Sequence, residues 1–191
     1  AHNSPNMAQV PASYSPYGKE CRSLWTISNL NTHVLIGTDA SGLELRCLAH
    51  YMNDPDFTNE VVNGDVHTAN MKAAGLKDRD QAKKFIYAFL YGAGPLKLGK
   101  VVGGGVGKGQ NLIKMFLSNM PKLKELRENI MEASQSGTIV ALDGRLLHIR
   151  ADYASLNTLL QGAGAIICKQ WLVYIMERIR KSGVDAKLVA S

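Results

Sequence analysis

Three stretches of this chain combine residue types that do chemistry with spacings that can align them. The first is Asp39-Ala40-Ser41-Gly42-Leu43-Glu44-Leu45-Arg46. The run before it, Val34-Leu35-Ile36-Gly37-Thr38, predicts a short buried strand that ends in Asp39. A carboxylate at a strand end, beside a turn that exposes the Ala40 carbonyl, offers two hard oxygens of the kind magnesium takes. A plainer account exists for both acids. Ser41 and Glu44 have the spacing of a helix capping box, and Asp39 then serves as a turn acid.

The second stretch is Arg79-x3-Lys83-x3-Tyr87. Asp78 caps a helix predicted over Arg79 to Tyr91, which Gly92-Ala93-Gly94-Pro95 stops. Residues four apart lie on one slowly drifting helix face. Two cations and a ring in a row suit a triphosphate with a stacked base or sugar. Arginine can grip phosphate oxygens with two donors, and lysine acts as a point charge. An amphipathic surface helix with its aromatics in the core fits the same spacing. The third stretch, Gly94-Pro95-Leu96-Lys97-Leu98-Gly99-Lys100, matches G-x4-G-K. It continues with Val101 where a magnesium-binding hydroxyl is needed, and it follows a helix, so it is not a phosphate-binding P-loop. Gly99 to Gly109 reads instead as a flexible connector.

The elements that must position these residues follow from pattern. Residues 1–33 read as a looped lead-in with a helical patch near Gly18 to Trp25. A helix follows Ser41 through Met52, then a loop over Asn53 to Asp65. Helices are predicted near His67 to Ala74, over Gln110–Ser118 and over Lys122 to Ser134. Residues Gly137 to Arg150 look like a hairpin with Asp143-Gly144 at its turn. A long helix spans roughly Ala154 to Lys181, and Val184 to Ser191 begins a strand-like run.

Length and composition bound the class. The chain has 191 residues, 46% apolar and 20% charged, a globular composition for one domain with an insertion. No uninterrupted apolar run reaches the roughly eighteen residues of a membrane span, so no membrane partner is expected. Cys21, Cys47 and Cys168 lie far apart, which excludes a disulfide scaffold or zinc ribbon and fits a reducing compartment. The formal net charge is +6, but Asn70 to Arg127 alone carries +9 and the remainder −3. Such asymmetry suits a polyanion partner, although a solvated basic face accounts for it equally well.

Taken together, the motifs resemble the polymerase domain of family A (DNA polymerase I-like) enzymes, in particular the replicative polymerases of short-tailed phages. Asp39 to Arg46 is similar to motif A, D-x-S-x-x-E-L-R, and Arg79-x3-Lys83-x3-Tyr87-x3-Tyr91-Gly92 to motif B. Asn6-Met7-Ala8-Gln9-Val10-Pro11 resembles the P-N-L-Q-N-I-P segment. Gly64-Asp65-Val66-His67-Thr68 and Leu156-Asn157-Thr158-Leu159-Leu160-Gln161 also match, in order along the chain.

The resemblance implies an α+β fold: a palm, a partial antiparallel sheet with helices, in which all-helical fingers are inserted. Residues 1–63 would be the first part of the palm, 64–141 the fingers and 142–191 the second part. It implies DNA-directed DNA synthesis, adding dNTPs to a primer 3′-hydroxyl with two Mg2+ ions. Asp39 and the Ala40 carbonyl would hold metal. Arg79, Lys83 and His67 would hold the triphosphate, with Lys83 also the proton donor to pyrophosphate. Tyr87 would pack on the sugar and base, and Glu44, held by Tyr91, would exclude a ribose 2′-hydroxyl. Asn157, Gln161 and Arg145 would contact primer–template DNA.

Departures from the pattern carry their own expectations. Motif C, a His-Asp-Glu turn with the second metal carboxylate, finds no match; Asp185 reads as a loop acid. The Thr-Gly-Arg preceding the opening segment, the thumb and an exonuclease domain are also unmatched, and Tyr153 stands where relatives often have a basic residue. The chain therefore reads as a fragment, itself inactive. A processivity factor would act through the missing thumb, and the setting would be the cytoplasm of an infected bacterium. The competing reading is a non-catalytic nucleic-acid-binding module, which would need the basic helices but not Asp39.

Overall fold

Three helix starts in this protein are set by aspartates. The computed structural model describes residues 10–27, 29 and 31–188. Asn6 to Gln9 of the opening motif, and residues 189–191, lie outside the described residues. The chain divides into two units, residues 1–39 and 40–191. In the first, one short helix, α1 (Gly18–Ser23), is tied back by Arg22, whose Nε donates to the Pro11 carbonyl at 2.8 Å.

The second unit is mostly helical. Its helices are α2 (Leu43–Met52), α3 (Pro55–Val62), α4 (Val66–Ala73), α5 (Arg79–Leu90), α6 (Pro95–Val101), α7 (Val106–Asn119), α8 (Pro121–Ala133) and α9 (Ser155–Ser182). Asp54, Asp65 and Asp78 cap α3, α4 and α5, each accepting from two backbone N–H groups of the first turn. Between α8 and α9 lies a two-stranded antiparallel hairpin, β1 (Thr138–Val140) with β2 (Leu146–His148), in the register Val140↔Leu146. Gly144 takes φ 86° in its turn, the left-handed conformation that the Asp-Gly pair foretold.

One core runs through this unit. Leu45, Leu48 and Met52 of α2 meet Phe85, Ile86, Phe89 and Leu90 of α5, with Leu98, Phe116, Leu123, Leu156 and Leu160 from the later helices. At its centre the Phe116 ring stands edge-on to Phe85 (5.1 Å between centroids) and to Phe89 (5.3 Å). Burying each such side chain contributes roughly 2–3 kcal/mol. The Arg127 guanidinium lies 4.9 Å from the Phe89 ring centre and closes that side of the cluster.

Six expectations need correction. Residues 34–39 form no strand: Val34 and Ile36 are each 79% exposed, and among the described residues no other strand pairs with them. An extended run without a ladder partner leaves its backbone to water. Val184 to Lys187 is likewise irregular. Ser41 does not cap α2; Gly42 does, at φ 62°, with no side-chain cap, which frees Glu44 from a capping box. The loop expected over 53–65 holds α3, because Asp54-Pro55 supplies both a cap and a residue preset for the first turn. Finally, a helical stretch, Asp152–Ser182, is long and apolar enough to cross a membrane by length and composition. Lys169 and Gln170 interrupt the run without lowering its average enough. The N-terminal half of α9 packs in the core through Leu156, Leu159, Leu160 and Ala163.

The glycine-rich stretch is a sixth correction, with an energetic consequence. It is no connector but two helices in near backbone contact. A Cβ on Gly99 would overlap the Gly105 carbonyl, and one on Gly109 the Pro95 carbonyl. Gly107, by contrast, faces open space inside α7. We expect Gly109→Ala to destabilise the fold by about 1–3 kcal/mol, whereas Gly107→Ala stabilises it by roughly 0.5–1 kcal/mol. Urea unfolding of the two variants reads the opposite signs.

Candidate functional site

Helix α5 buries Ala82, Phe85, Ile86, Phe89 and Leu90 and turns its other face outward. On that face stand Arg79, Lys83, Tyr87 and Tyr91. The Tyr91 hydroxyl, just past the helix end, donates to Glu44 Oε1 at 3.0 Å and so ties α5 to α2. The Tyr87 and Tyr91 rings stack with centroids 6.4 Å apart at 28°. His67 from α4 lies 6.1 Å from the Tyr87 ring. One row therefore runs Glu44, Tyr91, Tyr87, His67, built from three helices, and Arg79 and Lys83 continue it. Sequence reasoning nominated all six.

The row's electrostatics have identifiable causes. Burial, then the Arg79 and Lys83 charges, hold the His67 imidazole below its ordinary pKa, which keeps it neutral. Its Nδ1 is buried without a hydrogen-bond partner among the described residues. Burial first, and then Glu44, push the Tyr91 and Tyr87 hydroxyls up.

Arg79 has a partner that sequence reasoning missed. Its Nε donates to Asp65 Oδ2 at 2.8 Å and its Nη2 to Asp65 Oδ1 at 3.0 Å. Asp65 also accepts from the His67 and Thr68 backbone N–H groups and from the Thr68 hydroxyl. These donors, Arg79 foremost, hold its carboxyl well below the usual carboxylate range. An Asp before a helix announces a cap; its pairing with a residue 14 positions on has no periodic signal.

The other nominated residues stand elsewhere. Asp39 is exposed at the end of the first unit, and Ala40 opens the second. Arg145 sits on the exposed hairpin turn, paired with Asp143 of the same turn, which lowers the Asp143 carboxyl. Asn157 is half-buried and Gln161 exposed, one turn apart on α9. The start of α9 is fixed by close approaches. A Cβ on Gly92 would lie 2.5 Å from the Tyr153 carbonyl oxygen, and one on Gly164 would lie 3.2 Å from Leu43. Among the described residues no cluster of three or more His, Cys, Asp or Glu side chains is placed to hold a metal. A groove of about 680 Å³ between α2 and α3, lined by Arg46, His50 and Asn59 among others, contains none of the nominated residues. The row is an open face, not a cavity.

The family model described as DNA polymerase family A matches residues 1–191. The chain belongs to this family. It is 45% identical to the DNA-directed DNA polymerases of Enterobacteria phage T3 and Escherichia phage T7, over 96% of this chain and 29% of each relative. It thus spans less than a third of those relatives' length. The fold agrees: a solved structure described as the POL domain of Pol1 from M. smegmatis in complex with DNA primer-template and dNTP superposes with TM-score 0.80. That match covers 98% of this chain and 36% of the other, at 16% identity.

The His67 environment has a measurable pH signature. Its folded pKa lies below the unfolded value of about 6.5, so its contribution to stability is complete above that pH. As pH falls the unfolded chain takes up the proton first, and stability is lost. NMR titration of the His67 ring should give a midpoint below that of a free histidine, and His67→Gln should flatten the loss of stability between neutral pH and pH 5.

Proposed function

We propose that this chain forms the nucleotide-binding fingers and adjoining palm of a DNA-directed DNA polymerase that adds dNTPs to a primer 3′-hydroxyl. The carrying observation is the row Glu44–Tyr91–Tyr87–His67 with Arg79 and Lys83 continuing it, three helices converging on groups that match a deoxynucleoside triphosphate part by part. The identity to two phage polymerases supports the same reading. So does the fold shared with a polymerase described as bound to DNA and dNTP.

Each residue then has a physical task. Arg79 and Lys83 bind triphosphate oxygens, and neutral His67 donates to them without adding a third fixed charge. Tyr87 packs on the sugar and base. Glu44, anchored by the Tyr91 hydroxyl, fills the space a 2′-hydroxyl would need. Lys83 is the proton donor as pyrophosphate departs. Asn157 and Gln161 present amides to minor-groove acceptors, which vary little between base pairs, so they check duplex shape and not sequence. Arg145 contacts the DNA backbone.

The Asp39 carboxylate and the Ala40 carbonyl are hard oxygen donors and suit magnesium. When two such ions are bound, they supply activation of the attacking hydroxyl and stabilisation of the leaving group. In this reading residues 1–63 and 142–191 belong to the palm and 64–141 to the fingers. The setting is the cytoplasm of a phage-infected bacterium, with a processivity factor acting through a thumb.

Fluorescence titration with dATP and ATP tests the row directly. Lys83→Ala should weaken dATP binding about tenfold, and Glu44→Ala should narrow the preference for dATP over ATP. Equal affinity for the two nucleotides in the unaltered chain would overturn the assignment of Glu44. The 191-residue chain alone should give no templated product in primer extension. In a family A polymerase carrying these residues, Asp39→Asn should abolish extension and leave DNA binding intact.

A further inference from the structure

Asp65 stands behind Arg79 in a geometry that leaves the arginine free to bind a second anion. A guanidinium has five N–H donors arranged along its edges. Asp65 takes the Nε edge: Nε to Oδ2 at 2.8 Å and Nη2 to Oδ1 at 3.0 Å. Among the described residues both Nη1 donors and one Nη2 donor have no partner, one Nη1 and one Nη2 N–H sharing the end edge, and the Arg79 side chain is 51% exposed. Asp65 takes one edge only, and the exposed arginine keeps donors for a second anion. The same carboxylate caps α4, accepting from the His67 N–H at 3.1 Å and the Thr68 N–H at 3.3 Å. One side chain thus fixes the guanidinium plane of Arg79 relative to the helix that carries His67.

We propose that Asp65 is a positioning residue for triphosphate binding, orienting Arg79 and the start of α4 so that Arg79 and His67 converge on the same phosphates. The inference rests on the polymerase reading of the row and adds a residue to it. An arginine side chain has many rotamers, and ordering it only on binding subtracts from affinity; Asp65 orders it beforehand. The ion pair itself is exposed and contributes little to stability. Its value lies in orientation.

Charge alone predicts the opposite sign, which makes the idea testable. Removing a negative group beside a phosphate site should tighten anion binding if attraction is all that matters. Removing a positioning group should weaken it. The probe is inorganic tripolyphosphate, followed by dATP, titrated calorimetrically into the 191-residue chain at fixed ionic strength. Asp65→Asn keeps a good helix cap but loses the paired carboxylate oxygens. We expect it to weaken tripolyphosphate binding about tenfold, the worth of one charge-assisted hydrogen bond, with the unfolding midpoint nearly unmoved. Asp65→Ser, which caps but does not span to Arg79, should do the same. Asp65→Glu should recover part of the loss. The Asp65→Asn effect should vanish in an Arg79→Ala background, because the two residues act as one unit. Asp54→Asn, the same change at the cap of α3, should leave binding as it was.

The outcomes separate cleanly. Tighter binding by Asp65→Asn, or full additivity with Arg79→Ala, overturns the positioning role while leaving the site standing. If Arg79→Ala binds tripolyphosphate as well as the unaltered chain, the phosphate site itself is wrong, and the role of Asp65 falls with it.

Discussion

A single helix must satisfy two surfaces at once, and the period of the α-helix decides that it can. On α5, Ala82, Phe85, Ile86, Phe89 and Leu90 are buried, while Arg79, Lys83, Tyr87 and Tyr91 form the outward row. Residues four apart rotate by about 40°, so the outward row winds gradually around the helix and the buried set winds with it. The twist carries Tyr91 towards α2, where Glu44 accepts its hydroxyl. It leaves Arg79 at the other end beside Asp65. Moving any of the four by one position would turn it through a quarter of the circumference into the Phe85–Phe116 cluster or away from the row. The packing of phenylalanines therefore fixes the spacing of the charged groups.

Acidic residues hold this basic region together without neutralising it. Asp54, Asp65 and Asp78 sit at helix starts, where unpaired N–H groups and the helix dipole favour a negative charge. Only Asp65 of the three also grips an arginine side chain. The Lys83 side chain stays exposed. Residues 70–127 keep a net charge of +9, and the Asp65 and Asp78 caps stabilise α4 and α5, which display Lys72, Arg79, Lys83 and Lys84 of it. His67 fits the same economy. Kept neutral by burial and by its cationic neighbours, it can donate a hydrogen bond without adding to their mutual repulsion.

The sequence made helical elements legible wherever a cap and an apolar stripe agreed. Asp78 with the stripe of α5 predicted both the helix and its outward residues, and Asp143-Gly144 predicted the hairpin turn. The failures have physical reasons. Asp54-Pro55 is a start signal that looks like a turn when the helix behind it is only 8 residues long. Gly99 and Gly109 read as flexible because the reason for them, backbone carbonyls of the facing helix, exists only in three dimensions. Glu44 had two readings, a local capping box and, from the resemblance, a side chain held by Tyr91 across the fold. The left-handed Gly42 removed the first and the Tyr91 hydroxyl established the second. Asp65 was visible as part of a motif, but its bond to Arg79 joins two helices and has no periodicity to betray it.

The parts of the proposed site differ in what they need from the rest of a protein. A helix closes its backbone hydrogen bonds within itself, so α4 and α5 can present His67, Lys83 and Tyr87 once their inner faces are packed. The segment 34–39 is different. Its apolar, β-branched residues favour a strand, yet a strand's N–H and C=O groups are satisfied only by another strand. No described residues supply one, and the segment stays irregular with Val34, Leu35 and Ile36 exposed. Nucleotide contact and metal binding therefore rest on structures of unequal autonomy. The first is assembled by local helix physics and one aromatic core. The proposed second part rests on Asp39, which follows a run that has no ladder among the described residues.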